Sequence, residues 1–107
     1  LEVVKFMDIN KALRSVVTTG KVYFGLEQTK KALKAKKVKL IIVASNCPES
    51  YIAEYEKYDV KIPIYKFAGT NIELGTICGK QFGVSTLAVI HPGESNILAL
   101  RSPPSPR

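Results

Sequence analysis

Tryptophan is absent from the 107-residue chain, histidine and methionine occur once each, and there are two cysteines. Cys47, Cys78 and His91 together fall short of the four ligands a structural zinc site needs, and no CxxC pair exists. No apolar run approaches the roughly 20 residues of a membrane-spanning helix. The longest, Leu40-Ile41-Ile42-Val43-Ala44, has the length of a strand. The N-terminus shows no charged region ahead of an apolar core, so no secretory signal is expected and the protein is read as cytosolic. In that setting the two thiols are expected free, packed as small hydrophobes. The phosphate-loop pattern GxxxxGK[ST] and the GxSxG elbow are missing. Gly75, Gly79 and Gly83, four apart, do not match a dinucleotide fingerprint. His91 is the one candidate imidazole base, and Cys78 or Ser85 could join it only through tertiary proximity. The expectation is a protein that is not an enzyme and needs no cofactor or metal.

What is present is ordinary in amount and uneven in placement. With 46% apolar and 23% charged residues, the chain has enough material for one soluble domain with one core. Lysine and arginine number 16 against nine acids, for a net charge of +7. Seven lysines lie between Lys21 and Lys39, with Glu27 as the only acid among them. The stretch from Glu49 to Asp59 runs the other way, with four acids against Lys57. Excess charge concentrated in one quarter of a domain points to a polyanionic partner, nucleic acid above all.

Helix and strand periods alternate along the chain. Asp8 can cap a helix with Ile9, Leu13, Val16 and Val17 on one stripe, ended by Gly20. Val22-Tyr23-Phe24 reads as a short strand closed by Gly25. Residues 26–37 read as a helix with Leu26, Thr29 and Leu33 inward and Glu27 four residues ahead of Lys31. A strand is expected over 38–45, apolar enough for a strand covered on both faces. A helix opened by Pro48 follows, carrying Tyr51, Ile52, Tyr55 and Tyr58, then a strand over 62–67. Thr70-Asn71-Ile72-Glu73 fits a capping box for a helix through Cys78. A strand over 84–90, a turn at Pro92-Gly93 and a short segment over 96–100 complete the order. Such alternation argues for an α/β layer fold with helices on both faces of one sheet. The folded domain is placed at 7–100, with 1–6 an extension and 101–107, three prolines in seven, an extended tail.

Several segments taken together carry a resemblance. They are Thr19 to Gly25 (TGKVYFG), Gln28 to Lys31 (QTKK), Lys39 to Pro48 (KLIIVASNCP) and Asn71 to Thr76 (NIELGT). Gly79 to Ser85 (GKQFGVS) and Pro92 to Leu98 (PGESNIL) complete the set. In order and spacing this pattern resembles the archaeal and eukaryotic large-subunit branch of the kink-turn-binding ribosomal protein superfamily. The resemblance implies a three-layer α/β/α sandwich on a four-stranded mixed sheet, with the last strand antiparallel to the others. The turn at Gly25, the loop at Asn46 and the loop over 82–84 would then meet at one sheet edge. It further implies a protein of the large ribosomal subunit that binds a kink-turn of ribosomal RNA. Neighbouring ribosomal proteins would be its other partners; no membrane is involved, and the free chain would be a monomer in the cytoplasm.

The same resemblance assigns candidate roles. Gly25 would allow close backbone approach, and the helix start after it, with Glu27 and Gln28, would face RNA acceptors. Asn46 would read a base edge with an amide that both donates and accepts. Phe82 would stack on a base and Val84 pack against an extruded one. Lys31 would reach a phosphate, with Lys21, Lys30, Lys34 and Lys80 adding backbone contacts. Glu27 departs from the family pattern, in which relatives commonly carry a basic residue or asparagine shortly after the glycine. A carboxylate there can accept from guanine N–H groups or simply pair with Lys31. The segment from Glu49 to Lys61 also departs, being shorter and less typical than the family's third helix. The alternatives are a paralogous kink-turn binder of a guide-RNA particle or a messenger-RNA regulator, a small α/β enzyme using Cys78 or His91, and a module whose lysine helix binds an acidic protein.

Overall fold

The computed structural model describes residues 9–58, 62–94 and 97. The Asp8 cap, the two tails and most of the 96–100 segment lie outside the described residues. Eight elements follow one another: α1 (Ile9–Thr19), β1 (Lys21–Phe24), α2 (Leu26–Lys34), β2 (Leu40–Val43), α3 (Glu49–Tyr58), β3 (Ile64–Lys66), α4 (Asn71–Ile77) and β4 (Thr86–His91). The sheet order is β1-β4-β2-β3. β4 is antiparallel to both β1 and β2, while β2 and β3 are parallel. The mixed sheet with a reversed last strand is therefore as the resemblance implied.

Strand periodicity divides the core into two layers. Leu40, Ile42 and Ala44 alternate with Ile41 and Val43 along β2, and all five are buried. The first set joins Leu87, Val89, Leu13, Val16 and Leu74 on the side of α1 and α4. The second joins Ala88, Ala32, Leu33 and Tyr55 on the side of α2 and α3. Successive side chains of a strand point to opposite faces, so a run apolar at every position is what a doubly covered strand requires. The Tyr55 hydroxyl, buried in the second layer, donates to Thr86 Oγ1 at 3.0 Å, tying α3 to the central strand. Burial pushes its pKa up to about 12.

Several elements are shorter than their sequence periods suggest, for identifiable reasons, while β1 begins one residue earlier, at Lys21. α2 stops at Lys34 rather than continuing to residue 37. Lys36 takes φ 58°, and its N–H donates to Leu33 O at 3.0 Å while that of Lys37 donates to Ala32 O at 3.1 Å. This is a Schellman closure with lysine in the left-handed position that glycine usually holds. β4 starts at Thr86 rather than Val84, because the Val84 N–H is taken by Asn71 O at 2.9 Å and so is drawn to α4 instead of the ladder. At α4 the capping box forms as expected. Thr70 Oγ1 accepts from Glu73 N–H at 3.3 Å and Glu73 Oε1 from Thr70 N–H at 2.8 Å.

Candidate nucleic-acid interface

Reversal of β4 brings three chain segments to one end of the sheet. Phe24 pairs with Leu87 and Val43 with Thr86 in the ladder. Just beyond, Gly25 N–H donates to Thr86 O at 3.0 Å and Ala44 N–H to Ser85 O at 2.9 Å. The exits of β1 and β2 and the entry to β4 thus share an edge, and Gly25, Asn46 and Phe82 are placed around it.

Gly25 caps α2 through its backbone alone, with φ 92° and ψ 164° and no side-chain bond. That φ belongs to glycine, and a Cβ placed there would meet no atom within 4 Å. The first turn of α2 therefore opens onto free space, with its leading N–H groups lacking helical acceptors. Glu27, Gln28 and Lys31 are exposed on this helix.

Asn46 is held by Asn71, which the sequence marks as part of a helix cap and of a resembling segment but not as a site residue. Its Nδ2 donates to Asn71 Oδ1 at 2.9 Å, and its Oδ1 accepts from Asn71 N–H at 2.9 Å. Asn71 in turn holds the third loop. Its carbonyl accepts from Val84 N–H, and a Cβ on Gly83 would run into its carboxamide. A Cβ on Gly75, one turn further along α4, would collide with the Phe82 carbonyl oxygen. The Asn46 loop, the start of α4 and the 82–84 loop are consequently one hydrogen-bonded unit. Spacing could not reveal this, since Asn46 and Asn71 are 25 residues apart and each has an ordinary local role.

Phe82 is 61% exposed and Ile72 beside it 62%, two large apolar side chains left uncovered at this edge. Ile72 was not singled out from the sequence, where helical spacing alone gave it no special place. Val84 is different: it is 3% exposed and packs in the α1–α4 layer, so its side chain supports the loop from beneath and offers no face to an extruded base. Lys80 reaches the edge, its ammonium 4.7 Å from the centroid of the Phe24 ring.

The remaining lysines distribute differently from the sequence expectation. Lys30, not Lys31, is the partner of Glu27, at 3.9 Å, and also of Glu54 on α3 at 3.8 Å. Its charge faces the acids of the α2–α3 seam, which leaves Lys31 free to point outward. Lys21 pairs with His91 at the other end of β1, and Lys34 closes α2 about 12 Å from its first residue. Neither stands at the Gly25–Asn46–Phe82 edge.

The candidate catalytic groups do not converge. Ser85 and His91 flank opposite ends of β4, about 20 Å apart along the strand. Cys78 is buried with its thiol pushed up to about 11 by desolvation, and His91 Nδ1 accepts from Gly93 N–H at 3.0 Å. Both cysteines are free thiols. Among the described residues no helix is long and apolar enough to cross a membrane.

A family model described as the ribosomal protein L7Ae/L30e/S12e/Gadd45 family matches residues 7–99. The Large ribosomal subunit protein eL30 of Methanoregula boonei is 42% identical over 95 residues, 89% of this chain and 97% of the relative. That of Methanothermobacter thermautotrophicus is 43% identical over 96 residues, 88% of this chain and 98% of the relative. The protein of the same description from Branchiostoma belcheri is 46% identical over 92 residues, covering 84% and 81%.

Proposed function

The chain belongs to the ribosomal protein L7Ae/L30e/S12e/Gadd45 family, and we propose that it is a structural protein of the large ribosomal subunit that binds a kink-turn of ribosomal RNA and holds it bent. It acts in the ribosome, without covalent chemistry or cofactor. The observation that carries this reading is the meeting of the Gly25 helix start, the tethered Asn46 amide and the exposed Phe82 ring at one sheet edge. That relatives named as large-subunit proteins match over nearly their whole length supports ribosomal duty over a guide-RNA or messenger-RNA role.

Each part has a chemistry suited to an unpaired, splayed RNA element. Asn46 has one Nδ2 hydrogen and one Oδ1 lone pair left over after its bonds to Asn71, enough to donate to and accept from one base edge. The start of α2 presents N–H groups and the positive end of the helix dipole. Phe82 supplies a stacking face, with Ile72 beside it widening the apolar platform. Gln28 adds a neutral amide, while Lys31 and Lys80 neutralise phosphates. Glu27, exposed and only loosely held by Lys30, accepts from guanine N–H groups. Because these contacts exist only for the bent conformer, binding shifts the RNA population toward it.

A titration against a kink-turn RNA and a straight duplex of equal length, at two salt concentrations, tests the reading. The kink-turn should be preferred at both salts, and Asn46→Ala should erase the preference. Equal affinities that weaken together as salt rises would refute it.

A further inference from the structure

The lysines displaced from the Gly25–Asn46–Phe82 edge gather at the opposite end of the sheet. Lys21 opens β1 across from His91, and Lys39 precedes β2 with its N–H donating to Val89 O at 2.8 Å. α2 runs back from the edge and delivers Lys34, Lys36 and Lys37 to the same end. All five side chains are exposed, and among the described residues no carboxylate lies within 4.0 Å of any of them; the ion pairs formed use Lys30 and Lys57 instead. Nine helical residues, about 13 Å, separate this end from Gly25.

We propose that this lysine-bearing end is a second RNA-binding surface, one that grips the phosphate backbone of a double-helical segment while the Gly25–Asn46–Phe82 edge holds its own RNA. The helix dipole accounts for part of the charge, since Lys31 and Lys34 lie in the last turn of α2, where cations are favoured. It does not account for Lys21, Lys37 and Lys39, which stand outside the helix, nor for Lys36. At φ 58° Lys36 holds a position that glycine would occupy with less strain, and it carries a cation there. A protein partner would require an apolar centre to its interface. Among the described residues this end exposes one large apolar side chain, the Tyr58 ring, and the Lys34 ammonium stands 5.9 Å from its centroid; Ile72 and Phe82 belong to the other edge. Phosphate backbone asks only for clustered cations, and the shallow side of an A-form duplex offers two rows of phosphates to them.

The test forms the complex of the full chain with a minimal kink-turn RNA and then titrates a labelled straight RNA duplex. A ternary complex is expected, weakening steeply with salt. The combined variant Lys36→Gln, Lys37→Gln, Lys39→Gln should weaken duplex binding at least tenfold and flatten its salt dependence, with kink-turn affinity changed less than threefold. Arginine at the same three positions should restore the duplex. Lys36→Gly should raise the Tm while weakening the duplex, a pairing that a purely structural lysine would not produce. Displacement of the kink-turn RNA by the duplex, equal loss of both RNAs in the glutamine variant, or tighter binding of polyglutamate than of duplex would overturn the proposal. If no kink-turn RNA binds at all, the duplex titration is run on the free chain. Loss in the glutamine variant then supports the second surface, and unchanged affinity sinks it.

Discussion

Removing the Asn71 side chain isolates the step that makes Asn46 a recognition group. In Asn71→Ala the Oδ1 acceptor of Asn46 Nδ2 disappears, while the backbone N–H that donates to Asn46 Oδ1 stays. One exposed hydrogen bond of this kind contributes about 0.5–1 kcal/mol to stability, which for a domain of this size lowers the Tm by about 5 °C. The larger consequence is for binding. Asn46 loses one of two anchors, and fixing a freed side chain again on RNA costs about 0.5–1.5 kcal/mol, roughly two- to twelvefold in affinity for a kink-turn. Asn46→Ala removes both bonds together with the group that meets the base, so its cost is larger, about 1–3 kcal/mol. A double-mutant cycle separates positioning from contact. With alanine already at 46, Asn71→Ala has no amide left to orient, and its effect on kink-turn affinity should shrink to less than twofold. Fluorescence anisotropy on the four proteins, with thermal melts alongside, measures each corner. Equal losses from Asn71→Ala in both backgrounds would show that Asn71 acts independently of Asn46 and would refute the tethering argument.

Phe82→Ala should leave the Tm within a few degrees, because the ring is already mostly exposed, yet weaken kink-turn binding roughly tenfold, the worth of one stacked base. Gly75→Ala should do the reverse first: its methyl displaces the Phe82 carbonyl, lowering stability by about 2 kcal/mol in denaturant melts and moving the 82–84 loop, so that affinity falls as well. Alkaline pH should destabilise the fold. Cys78 holds its proton up to about 11 from an ordinary 9.0, and Tyr55 up to about 12 from 10.0. The folded state keeps protons that the unfolded state has lost, so the stabilisation is whole below pH 9 and falls as pH rises through 11 and 12. Denaturant titrations at pH 8, 9, 10 and 11 should show that decline, and Cys78→Ala should flatten its first part.

The layers of the fold were legible because burial on both faces leaves a direct mark on composition. β2 is apolar at every position and rich in β-branched residues, as a strand covered on both faces requires, and the Thr70–Glu73 cap is written in four consecutive residues. Boundaries were less legible, because they are set by bonds to distant backbone. Val84 has the side chain of a strand residue, but its N–H goes to α4, and nothing within its own segment says so.

For the site, the family resemblance supplied candidate positions and the topology decided which of them coincide. Phe82 and Asn46 stand at the edge, whereas Val84 turns inward and Lys30 turns to Glu54. The lysine-rich quarter of the chain, which the sequence suggests as one surface beside one ligand, is divided by the topology between two ends of the sheet. A helix that starts at the binding edge carries its C-terminal residues away at about 1.5 Å each, so such a segment necessarily spans two surfaces. Glu27 and Lys31 remain near the edge, whereas Lys36, Lys37 and Lys39 cannot. Their number, and the left-handed backbone of Lys36, therefore need a cause of their own at the far end of the sheet.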